Sequence, residues 1–202
     1  MNKKQEQIIK ATAKLFMKYG IRSVTMDEVA KELTISKKTL YQFFKDKTDL
    51  VNYVVEFMGD KSDISHCGED KNLNAVEKHI SVYNKVSAIL TNANPSFEYD
   101  LQKYYPKQFK KMIKTRRNSM FEKMKRDLQQ GVDEGFFRAD MDVEKVAILN
   151  LIRIESIKDN EIIEKYNLKL IDMIQEFFDY HLHAIATEKG IKEYANLLSQ
   201  EK

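Results

Sequence analysis

Cysteine is almost absent from this chain. Cys67 is the only one among 202 residues, so no disulfide can close within it, and a reducing cytoplasm is the expected compartment. Two prolines and six glycines are too few for a chain of strands and tight turns, and they favour long helices. Long hydrophobic runs are missing as well. The longest, Val146 to Leu149, is four residues, against the ~20 needed to span a bilayer. The N-terminus is charged and lacks the apolar run of a signal peptide. Internal repeats and low-complexity tracts are also lacking.

A catalytic set is not evident either. His181 and His183 are two apart, so on a helix they point to different sides, whereas a helical metal pair needs a spacing of four. His66 and Cys67 are adjacent in a polar stretch without further identifiable ligands, and His79 stands alone. No glycine-rich phosphate loop and no Gly-x-Ser-x-Gly occurs. Neither an enzyme nor a metal or cofactor is expected.

What is present is a chain 43% hydrophobic and 32% charged, enough for a real core in a soluble protein. The net charge is a modest +3, but residues 1–50 carry 11 Lys/Arg against 6 Asp/Glu. Positive charge is therefore gathered in one segment, as a nucleic-acid partner requires. That segment opens with a helix over 2–19, with Ile8, Thr12, Leu15, Phe16 and Tyr19 on one face and Gly20 as its stop.

Residues 25–47 then read as two short helices around a tight turn. Thr25 and Glu28 are spaced as a capping box, flanked by Val24 and Val29 as a hydrophobic staple. Thr34 and Ile35 make the turn, and Ser36 caps the second helix. That helix opens with Lys37 and Lys38, the wrong sign for the positive end of a helix dipole. The anomaly is resolved if a phosphate is expected there. Thr39, Tyr41 and Gln42 lie on its exposed side, and Leu40 and Phe44 face the core. Asp46 caps a further helix that begins with Lys47.

The pattern Ile8-x-x-Ala11, Leu15-Phe16-x-x-Tyr19-Gly20, Thr25-Met26-x-x-Val29-Ala30, Ser36-x-x-Thr39-Leu40-Tyr41-x-Phe43-Phe44 and Lys47-x-x-Leu50 resembles the DNA-binding domain of the TetR family of transcriptional regulators. The resemblance covers residues 8–54, about a quarter of the chain. It implies phosphate contacts from Thr25, Lys37, Tyr41 and Lys47, and approach to base edges by Lys38, Thr39 and Gln42; the cap Ser36 is counted with them as a DNA-binding candidate. Gln42 stands where most members carry histidine. The resemblance also implies a homodimer on a palindromic double-stranded operator and a C-terminal domain that responds to a small-molecule effector.

Beyond residue 58 the chain is expected to form a second, larger domain. Residues 1–58 would be the DNA-binding domain and 59–202 a ligand-binding and dimerisation domain, both all-α. The stretch 59–75 reads as a polar linker. A helix from about 74 carries Val76, Ile80, Tyr83, Val86 and Ile89-Leu90, and Asn94-Pro95 stops it. Tyr104-Tyr105-Pro106 interrupts the next. Residues 107–131 form a long amphipathic helix with a basic outer side of Lys107, Lys110, Lys111, Lys114, Arg116 and Arg117, closed by Gly131 and Gly135. Tyr83, Phe97, Tyr99, Met112, Met120, Phe121 and Met124 are candidates to line a ligand cavity, or to be plain core. Asp142 caps a helix over 143–154 that is apolar on more than one face, as is a helix over 166–187. Val146, Leu149, Ile154, Ile174, Phe178, Leu182 and Ile185 are candidates for a symmetric four-helix dimer interface. The function expected is a ligand-responsive dimeric repressor. The alternative is a helical interaction protein that keeps the turn motif as a scaffold.

Overall fold

The computed structural model describes residues 2–60, 72–92, 95–156 and 161–200. Most of the expected linker, with His66 and Cys67, lies outside them, as does Asn94. The protein is all-α. Its described elements are α1 (Lys3–Tyr19), α2 (Met26–Glu32), α3 (Lys37–Tyr41), α4 (Lys47–Asp60), α5 (Ala75–Asn92), α6 (Pro95–Tyr104), α7 (Pro106–Asp133), α8 (Val143–Ser156), α9 (Glu161–Lys165), α10 (Leu170–Ile185) and α11 (Glu188–Gln200). No described helix is long and apolar enough to cross a membrane.

The chain forms two compact units. The first comprises Met1–Ser62 with Ala93–Arg116, the second Asp63–Asn92 with Arg117–Lys202. In the first, α1 packs on α2, α4 and α6. Its core holds Ile8, Ile9, Phe16, Val29, Leu40, Phe44, Leu50, Val51 and Val54, and it is completed by Phe97, Leu101 and Met112 from α6 and α7. Tyr19, placed on the apolar face of α1 by its spacing, is 51% exposed. Ile9 and Ala13 take that side of the core instead. The helix ends where Gly20 adopts φ 81, ψ 158, a region open in practice to glycine alone. A Cβ there would also stand 2.9 Å from Oδ2 of Asp100.

The second unit is built on Ala75, Val76, Leu128, Phe137, Ala147, Leu182 and Ile185, with α10 and α11 packed on α5. Two of its helices, α5 and α8, start at side-chain caps. Asn74 Oδ1 accepts from the amides of Val76 and Glu77, each at 2.9 Å, and Glu77 Oε2 accepts from Asn74 N–H at 2.7 Å. Asp142 Oδ1 accepts from Lys145 N–H at 3.0 Å, and this bond holds the Asp142 carboxyl below the usual carboxylate range.

Two expectations are revised. Gly131 does not close α7, which runs on to Asp133. It is a packing glycine, because any Cβ there would overlap the buried Phe137 ring. The helix expected over about 166–187 is shorter, Leu170–Ile185. Asn167 takes φ 52, which breaks the chain between α9 and α10. Beyond Ile185 the chain turns again, through a single antiparallel bridge between Phe137 and Ala186. It then enters α11, capped where Thr187 Oγ1 accepts from Gly190 N–H at 3.2 Å.

Candidate nucleic-acid interface and the cavity of the second unit

The turn motif is held together by its own side chains. Thr25 Oγ1 accepts from Glu28 N–H at 3.2 Å, while Glu28 Oε2 accepts from the Thr25 amide at 2.6 Å and its hydroxyl at 2.9 Å. Those bonds hold the Glu28 carboxyl below its usual range, so the box stays ionised at neutral pH. Thr34, at φ 53, reverses the chain, and the Ile35 amide donates to Ala30 O at 2.9 Å. Ser36 Oγ then accepts from Thr39 N–H at 3.0 Å, and the two hydroxyls lie 2.8 Å apart. Leu40 and Phe44 are fully buried and anchor α3 from below. Lys37, Lys38, Tyr41 and Gln42 are exposed, and Thr39 is half-buried. Asp46 Oδ1 accepts from Asp49 N–H at 2.8 Å and starts α4.

Two cations differ from what the spacing alone implies. Lys37 Nζ lies 2.8 Å from Asp27 Oδ1 in α2, and this contact raises its pKa. The wrong-sign charge at the start of α3 is therefore partly answered within the fold. Lys38 is exposed, and among the described residues no carboxylate pairs with it. Lys47 is half-buried, and its Nζ donates to Arg22 O at 3.3 Å. Burial lowers its pKa, against the pull of Asp100 and Glu28. Of the basic residues along α7, Lys111 is paired with Glu56 and Arg116 lies 3.8 Å from Glu98.

Composition and spacing missed a support beneath the motif. Asp100, 8% exposed, accepts from Arg22 N–H at 2.8 Å, and Arg22 Nη1 donates to Tyr104 Oη at 3.1 Å. These bonds tie the α1–α2 loop to α6. A carboxylate 78 residues from its partner leaves no local pattern to read.

Residues 8–54 match the family model described as bacterial regulatory proteins, tetR family. The segment is 42% identical over 52 residues to HTH-type transcriptional regulators of Staphylococcus aureus strains USA300 and N315. Each match takes in 26% of this chain and 28% of the relative, so the chain covers little more than a quarter of their length. Solved structures align far more widely. A transcriptional regulator from Cytophaga hutchinsonii ATCC 33406 covers 92% of this chain and 100% of its own, with TM-score 0.71 at 18% identity. Regulatory protein TetR from Rhodobacter sphaeroides covers 87% and 97%, with TM-score 0.62 at 16% identity. The tetR-type fold thus extends well beyond the matched segment.

The second unit contains a cavity of about 100 Å³ between α5, α7, α8 and α10. Its walls are Ala75, Lys78, His79 and Val82, then Met120, Lys123, Met124, Asp127 and Leu128, then Asn150, Arg153 and Ile154, then Phe177, Phe178, His181 and Ile185, with Phe137. Of the expected pocket residues, Met120 and Met124 line it. Tyr83 instead packs edge-on against Phe178, at 5.5 Å between ring centroids, and Phe121 packs on the core. Phe97 and Met112 belong to the core of the first unit, and Tyr99 is 56% exposed.

The candidate dimer residues divide in the same way. Ile174, Leu182 and Ile185 are buried in this chain's own core, Val146 is partly buried against it, and Ile154 and Phe178 line the cavity. Leu149 is 63% exposed. The inward stripe of each helix is spent on the fold, and the apolar face left outside on α8 is Ile148, Leu149 and Ile152.

Proposed function

We propose that this chain is a DNA-binding transcriptional regulator that acts as a homodimer in the cytoplasm and answers to a small molecule. The observation that carries the reading is the match of residues 8–54 to a segment whose polar helix face is exposed over a buried Leu40 and Phe44. Helix α3 enters the major groove. Lys38, Thr39 and Gln42 approach base edges, while Thr25, Lys37, Tyr41 and Lys47 hold phosphates and Ser36 keeps the entrance of α3 in shape. Thr25 keeps its hydroxyl within the capping box, so it serves by shaping the approach as much as by contact.

Two copies place two such helices on successive half-sites, about 34–36 Å apart. The exposed Ile148, Leu149 and Ile152 of α8 are the apolar surface on which the copies meet. The cavity of the second unit is the effector site. A ligand there releases DNA only if it prefers the DNA-incompetent state. The protein is a repressor on this reading, and the binding chemistry involves no turnover.

The test is a shift assay with the full chain on DNA flanking its own gene, over a range of salt. A sequence-selective shift that weakens steeply with salt is expected. No shift even in dilute buffer would leave only the scaffold alternative.

A further inference from the structure

The cavity is apolar over most of its wall, yet it holds an unusual set of charges. Arg153 reaches it from α8 with its guanidinium 3.3 Å over the Phe177 ring. Its Nε is buried and makes no hydrogen bond within the protein. Among the described residues, no carboxylate forms an ion pair with it. Burial lowers its pKa to about 10, so it remains cationic at neutral pH. The one acidic wall residue, Asp127, is committed to Lys123 four residues earlier on α7, and Lys78 Nζ donates to Gln130 Oε1 at 2.6 Å. The formal charge on the wall is thus an excess of cations.

The two histidines do not add to that charge. His79 Nε2 donates to Phe178 O at 3.0 Å, and burial holds its pKa at about 4. His181 Nε2 accepts from Asn150 Nδ2 at 2.9 Å, and burial holds it at about 3. Both rings are neutral and occupied. The half-buried guanidinium has no carboxylate partner and its buried Nε–H has no acceptor, and leaving charge and donor uncompensated costs free energy. An anionic ligand group removes that cost; a neutral one removes less.

Resting on the effector-site reading above, we propose that the cavity takes a small apolar monocarboxylate, its carboxylate paired with the Arg153 guanidinium and its hydrocarbon body packed on Met120, Met124 and Phe178. The size follows from the volume. A water needs roughly 10–15 Å³ of such space, so about 100 Å³ holds a body of roughly seven to ten non-hydrogen atoms. A cavity of that size, apolar over most of its wall, suits one carboxylate on a hydrocarbon body better than a multiply charged phosphate.

The test is calorimetric titration of the full chain with benzoate and hexanoate, and with benzamide as the neutral isostere of benzoate. Benzoate should bind at least ~10-fold more tightly than benzamide, as charge-assisted hydrogen bonds imply. Arg153→Met should abolish that preference. Arg153→Lys, which keeps the charge without the planar guanidinium fork, should retain part of it. Equal affinity for benzoate and benzamide in the unaltered protein overturns the proposal without any variant. So does binding of neither carboxylate, or a preference that survives Arg153→Met. The DNA shift is measured on the same preparation. A retained shift without carboxylate preference refutes the ligand assignment alone, and carboxylate preference without any shift refutes the regulator reading alone.

Discussion

Replacing Gly20 by alanine tests whether the loop under the turn motif is held as described. Two costs arise at once. The backbone at φ 81, ψ 158 is strained for any residue with a Cβ, by about 1–3 kcal/mol. The new Cβ also presses on Asp100 Oδ2, 2.9 Å away, and so on the bond from Arg22 N–H. A charge-assisted bond of that kind contributes about 1.5–3 kcal/mol. The terms share an atom and do not add fully, so the combined loss is about 2–5 kcal/mol. Two units need not unfold together, and a single melting curve would blur the effect. Amide hydrogen exchange resolves it. Amides of α2 and α3 should exchange roughly thirty-fold to a few thousand-fold faster, while those of α10 hold their rates. Asp100→Ala should reproduce the part of the loss that comes from the bond. Unchanged protection in α2 and α3, or equal loss in α10, refutes the reasoning.

Four further outcomes are expected. Lys47→Ala should lower the salt slope of DNA binding by about one unit, whereas Asp27→Asn should steepen it by freeing Lys37; identical slopes in all three proteins would remove both lysines from the phosphate contacts. Stability should fall as pH drops from 6.5 toward 5, because the unfolded chain protonates His79 and His181 while the folded one, with values of about 4 and about 3, does not. The contribution is fully present above pH 6.5, proton uptake on unfolding should approach two near pH 5, and a flat urea midpoint over that window contradicts the burial of these rings. Gly131→Ala should destabilise the second unit by about 1–2 kcal/mol, the overlap with Phe137 outweighing the helix-propensity gain, and a stabilised variant would show that the ring is free to move. Leu149→Glu should shift the sedimentation of the protein toward a monomer and weaken DNA binding with it; an unchanged sedimentation profile would place the meeting surface elsewhere.

What could be read without coordinates was what is local. The capping box of Thr25 and Glu28, the Ser36 and Asp142 caps and the Gly20 stop each involve residues within a few positions of one another, so spacing states the physics. Pairs made by folding were not visible. Asp27 meets Lys37 across a turn, and Asp100 meets Arg22 from a distant helix. His79, Arg153 and His181 come from three helices to share one cavity. Helix α8 shows a different limit. Its apolar residues occupy several faces, and periodicity cannot say which face is spent on the core. For α11 the signal was present, with Ile191, Tyr194 and Leu197 at helical spacing, beyond the residue where the preceding helix had been carried.

The core around the turn motif is not finished by the residues that make the motif. Phe97, Leu101 and Met112 fill it from a stretch that follows the whole of α5. At roughly 5–20 residues per second on the ribosome, the nascent motif waits several seconds for its floor. During that wait its apolar underside is open to whatever lies near, and a growing chain or a chaperone is what lies near. The turn motif is thus made before part of its own core and becomes solid only once that part has followed.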